Sequence, residues 1–169
     1  MFKEAIDFVS ARYGPTDPFI ASTLMNLART QAQTGRSREA VESLTKAAEI
    51  RRKIYGPAHT RTLATLLLLS QLYIDSGRPR DALPVMERVV TERRRVLASD
   101  HPDLATALTT LGSVYSRLSN DRAAEGAYRE ALGKEVELAA SGAGGPALAE
   151  FAKKSLILVK QANDADDKL

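Results

Sequence analysis

The chain has 169 residues, 44% hydrophobic and 27% charged, with a formal net charge of +3 and no cysteine. That is enough apolar material for a core, and it excludes disulfides, thiol catalysis and thiolate metal sites. A charge of +3 is far below the dense positive field of a dedicated nucleic-acid binder.

The predicted elements repeat every 42 residues, the mark of stacked supersecondary units. Residues 1–13 come first. Phe2, Ala5 and Ile6 share the register of Leu44, Ala47 and Ala48, so this stretch reads as the second helix of a pair without its first helix. The expectation is an excised fragment of a longer protein, because Phe2, Phe8 and Val9 otherwise lack a partner helix. A lone capping helix is the alternative.

Three full helix pairs follow, at 18–55, 60–97 and 102–139. Leu24, Leu66 and Leu108 coincide, as do Leu27, Leu69 and Leu111, and Ala28, Ser70 and Gly112. So do Ala40, Ala82 and Ala124, then Leu44, Met86 and Tyr128, then Ala47, Val89 and Ala131. In the middle pair Leu63, Leu66, Leu67, Leu69, Ser70, Tyr73 and Ile74 keep helical spacing from about Thr60 to Ser76. Gly77 ends that helix in a left-handed cap and Arg78-Pro79 turns the chain. The second helix runs from about Pro79 to Leu97 on Ala82, Leu83, Met86, Val89, Val90 and Val96. Pro84 lies near its start and predicts a local bend without a break.

The links between pairs carry Gly14-Pro15, Gly56-Pro57 and Ala98-Ser99, with His59 and His101 at equivalent places. Equivalence marks these histidines as repeat features near helix starts. Asp103 and Asp121 read as helix caps. The runs Arg51-Arg52-Lys53 and Arg93-Arg94-Arg95 read as solvated helix faces or helix ends opposing the macrodipole. Residues 141–146 form a glycine-rich linker and 147–163 a capping helix with Leu148, Phe151, Ala152, Leu156 and Val159 on one face. Residues 164–169 form a frayed tail.

With these residues in view, the chain resembles the tetratricopeptide repeat. The pattern reads Leu66, Leu69-Ser70, Tyr73, Ala82, Met86, Val89 in the middle pair and Leu108, Leu111-Gly112, Tyr115, Ala124, Tyr128, Ala131 in the third. In the first pair Gln31 stands where an aromatic is usual. A 42-residue period is similar to the kinesin light chain subclass. The resemblance covers about residues 1–140. It implies an all-α fold, a right-handed α-solenoid of antiparallel helix pairs with a concave inner wall.

In this family the inner wall is lined by residues of each first helix. Carried over, this implies a partner-binding set of Met25, Asn26, Arg29, Leu67, Leu68, Gln71, Ile74, Thr110, Ser113 and Arg117. Two familiar devices are absent. Met25 and Arg29 stand where chaperone-tail binders carry a lysine and an asparagine. Of the asparagine ladder of kinesin light chains only Asn26 matches, against Leu68 and Thr110. What is left is an apolar centre at Met25, Leu67, Leu68 and Ile74, flanked by Arg29 and Arg117.

The expected function is a non-catalytic scaffold or adaptor that takes a protein or peptide with an apolar stripe and acidic flanks. The alternatives are self-association by end-to-end stacking and, remotely, a nucleic-acid-binding helical repeat. No phosphate loop, nucleophile motif or carboxylate pair suggests an enzyme, and no cofactor or metal is expected. No run of about 18 apolar residues predicts a membrane span. The first residues lack a signal-peptide cleavage pattern, so the expected location is the cytoplasm.

Overall fold

A computed structural model describes residues 2–96 and 101–140, together with residues 150 and 157. The linker and tail expected at 141–146 and 164–169 lie outside the described residues. So does the capping helix expected at 147–163, apart from Glu150 and Ile157, which are helical. Among the described residues the regular structure is all α-helix. It comprises α1 (Phe2–Tyr13), α2 (Pro18–Gln33), α3 (Ser37–Tyr55), α4 (Thr60–Asp75), α5 (Pro79–Val96), α6 (Pro102–Arg117) and α7 (Asp121–Ala140). They fall into two units, residues 1–78 and 79–169.

The helices begin and end where local chemistry dictates. Asp17 caps α2 by accepting from the Phe19 N–H at 2.8 Å, and Pro18 fills a first-turn place that needs no donor. At α6 the cap is His101, not the expected Asp103, because His101 is the extended residue before the first turn and its Nδ1 accepts from the Asp103 N–H. At α7 Asn120 accepts from the Ala123 N–H at 3.3 Å, while Asp121 is already helical. The turns inside the pairs use one left-handed residue at one repeat position: Gly35, Gly77 and Ser119 have φ of 76°, 70° and 55°. Pro84 sits inside an unbroken α5.

In the first unit α1 packs on α2, α2 on α3 and α3 on α4. One cluster joins Ile20, Ala21, Leu24 and Ala47, with Ile6, Val9 and Ile50 against it. The next joins Ala28 and Ala40 to Leu44 and Leu69. Ala40 has no exposed surface. A small side chain there lets α2 and α3 approach closely, as the sequence predicts at that repeat position.

In the second unit α5 packs on α6 and α6 on α7. Here the size exchange is extreme. A Cβ on Gly112 would stand 2.7 Å from the Tyr128 ring, so the glycine makes room for the tyrosine. Tyr128 and Ala124 form a buried cluster with Tyr115 beside it. The Tyr115 hydroxyl donates to Glu87 of α5 at 3.0 Å. Burial, then the Glu87 carboxylate, raises that phenol above its ordinary range.

The two basic runs depart from the expected solvated faces. Arg51 donates from Nη1 to the Arg61 carbonyl at 3.1 Å and to Thr65 Oγ1 at 2.9 Å. Arg93, 42 residues on, donates to the Asp103 carbonyl and lies 3.5 Å from its carboxylate. Each ties the end of one pair to the first turn of the next. Arg93 is only 4% exposed. Burial lowers its pKa from the ordinary arginine value, opposed by Asp103. Only Arg94 and Arg95 of that run remain exposed.

Candidate functional site

An open hollow of about 340 Å³ lies in the first unit between α2 and α4. Helical spacing builds both walls: Met25, Ala28, Arg29 and Ala32 lie along α2, and Leu68, Gln71, Leu72 and Asp75 along α4. Leu44 of α3 closes the floor. The apolar parts differ in depth. Leu44 and Ala28 are buried, Met25 and Leu72 are half-buried, and Leu68 is 49% exposed. Thr65 Oγ1 lies 3.8 Å from the Met25 sulfur.

Each rim holds one charged group by a hydrogen bond along its own helix. On α2, Arg29 Nη2 donates to Asn26 Oδ1 at 3.1 Å. On α4, Gln71 Nε2 donates to Asp75 Oδ1 at 2.7 Å. The hollow is therefore an apolar trough with a cation on one wall and an anion on the other. Its groups can bind and orient. None of its side chains is placed as a nucleophile with a base.

Of the residues expected at the site, the structure gathers Met25, Asn26, Arg29, Leu68 and Gln71 around this hollow. Leu67 is half-buried and does not line it. One residue on a helix turns the side chain by about 100°, which separates two adjacent leucines. Ile74 is 4% exposed and belongs to the core rather than to an open wall. Thr110, Ser113 and Arg117 are on α6 in the other unit. Thr110 and Ser113 are half-buried and Arg117 is exposed. Thr110 Oγ1 donates back to the Thr106 carbonyl at 2.9 Å.

Leu72 and Leu44 fall outside the inward positions that the family pattern gives, whereas Asp75 falls on one of them. Asp75 had a signal, for it lies one helical turn beyond Gln71. A second, larger hollow of about 570 Å³ runs along α1, α2 and α3. Its floor carries Ile6, Ile20, Leu24 and Ile50, and its walls carry Glu39, Glu42, Lys46, Glu49 and Lys53. Beneath it Gln31 replaces the usual aromatic. It accepts from Ser43 Oγ at 2.8 Å and donates to Glu39 at 3.2 Å, so both ends of a buried amide have a partner.

The tetratricopeptide repeat family model matches residues 1–53, 39–91 and 77–133. This chain belongs to the tetratricopeptide repeat family. The repeats span both units and all seven described helices. Among solved structures, the chain is similar to TPR-like repeats from Podosopora anserina assigned to a kinesin light chain. The TM-score is 0.80 at 21% identity, over 99% of this chain and 77% of that one. BtubC (BKLC) from P. vanneervenii matches at TM-score 0.69 and 15% identity, over 99% and 72%. The Sgt2 TPR domain from Aspergillus fumigatus matches at 0.62 and 16%, over 88% and 82%. At these identities the likeness is one of fold. Two of these neighbours are named for a kinesin light chain, the subclass that the 42-residue period resembles. No curated protein sequence matches the chain. No helix among the described residues is long and apolar enough to cross a membrane.

Proposed function

We propose that this tetratricopeptide repeat chain is a non-catalytic adaptor that holds a short stretch of a partner protein in the α2/α4 hollow. Family membership supports an interaction scaffold. The observation that carries the finer reading is Leu68, a large apolar side chain left half in solvent on a trough lined by Met25, Leu44 and Leu72. An amphipathic helix or hydrophobic linear motif would cover it. Arg29 selects an acidic group on the α2 side. Asp75 adds a second requirement, a basic group on the α4 side. A cysteine-free chain suits a reducing compartment, and we assign it to the cytoplasm.

A pull-down from source lysate tests this with wild type, Leu68→Glu and Arg29→Glu, each verified as folded by circular dichroism. The reading expects a partner held by wild type and lost from both variants. Partners retained equally by all three contradict it.

A second reading has one observation behind it. Phe8 and Tyr13 of α1 are 66% and 63% exposed. Two large aromatic side chains in solvent on one helix favour self-association through α1. A mass that rises with concentration in wild type and stays monomeric in Phe8→Ser identifies it.

A further inference from the structure

The chain has two histidines, His59 and His101, 42 residues apart. Each is the extended residue before the first turn of a helix. Each ring accepts at Nδ1 from the backbone N–H two residues on, Arg61 onto His59 at 3.1 Å and Asp103 onto His101 at 3.1 Å. The first full repeat has Asp17 in that place, accepting from the Phe19 N–H. These two acceptors answer acid differently. An aspartate accepts until it protonates near pH ~4, whereas a histidine accepts only while its ring is neutral. A proton on Nδ1 turns the acceptor into a donor facing another donor. It also places a cation at the positive end of the helix macrodipole.

We propose that His59 and His101 make the starts of α4 and α6 acid-labile. Both helix entries loosen in mildly acidic solution, while the Asp17-capped start of α2 holds.

The neighbouring charges set the size of each effect. At His59, Tyr55 of α3 stacks on the ring with centroids 4.8 Å apart, and Arg61 of α4 donates to the Tyr55 hydroxyl at 2.9 Å. Arg51 of α3 holds the Arg61 carbonyl. At His101 the charged neighbours are Asp103 of α6 and Arg93 of α5, themselves 3.5 Å apart. Asp100, next in sequence, lies outside the described residues. The residue that donates to the cap is an anion, Asp103, at α6 and a cation, Arg61, at α4, so the larger loss is expected on α4. That helix carries Leu68, Gln71 and Asp75, but the effect is one of stability and needs no partner.

The direction follows from proton binding. Only the folded chain requires neutral rings. A doubly protonated ring has no acceptor left for the Arg61 or Asp103 N–H, so acid removes both caps and stability falls with them. Buried Glu135 works the other way. Burial raises its carboxyl above the usual carboxylate range, so its contribution is lost as pH rises.

Thermal unfolding of the full chain at about pH 7.5 and about pH 5.5 tests the proposal. Two caps of ordinary strength correspond to a fall of about 4–8 °C in wild type. The His59→Asp/His101→Asp chain, with Asp17 chemistry at all three starts, is expected to lose less than a third of that. An equal fall in both chains overturns the proposal. The imidazole nitrogen spectrum of wild type at neutral pH decides it independently of how the variants fold. Both rings are expected to carry their proton on Nε2, and a proton on Nδ1 of both overturns it.

Discussion

The α2/α3 pair and the α6/α7 pair share one repeat register but fill it with different side chains. In the first, Ala28 and Leu44 lie in one buried cluster and Gln31 anchors a polar network through Ser43 and Glu39. In the second, Gly112 gives way to the Tyr128 ring and Tyr115 sends its hydroxyl to Glu87. The helix positions survive because volume is traded between facing residues, alanine with leucine and glycine with tyrosine. The repeat constrains the sum of two side chains more tightly than either one. This is how close packing tolerates a variable sequence.

The largest expected effect breaks that trade. Gly112→Ala drives a methyl into the Tyr128 ring and is expected to cost about 1–3 kcal/mol, read as a shifted urea midpoint. Adding Tyr128→Leu copies the first pair and is expected to recover part of that loss. If the double variant is less stable than Gly112→Ala, the two positions are not exchanging volume. Next come the two buried ties. Arg93→Ala is expected to lose about 2 kcal/mol, from a charged hydrogen bond and a packed stem, and Arg51→Ala, half-buried, about 1 kcal/mol. Equal losses would show that burial does not set the strength of these ties. The smallest effect is a gain. Ser119 holds φ of 55° where the other turns have glycine. Ser119→Gly is therefore expected to add about 0.5–1 kcal/mol, and a loss would contradict the strain.

The helices were legible because a period repeated three times averages out local ambiguity. Single side chains were less so. Arg51 and Arg93 stand in basic runs, and composition cannot tell the one inward-facing arginine from its solvated neighbours. Leu67 and Leu68 looked alike in sequence, yet one helical step puts only Leu68 on the trough. Ile74 satisfied the same spacing and went to the core. The equivalence of His59 and His101 was visible, but their role needed the position of one ring nitrogen relative to one N–H. Asp75 mattered only once α2 and α4 faced each other across Leu44.

The α2/α4 trough is the proposed partner surface. The most direct measurement places a photo-crosslinking amino acid at position 68, and separately at position 67, in the full chain mixed with source lysate. A discrete crosslinked partner is expected from position 68 and little from position 67. Crosslinking from position 67 alone, or equally from both, would contradict it.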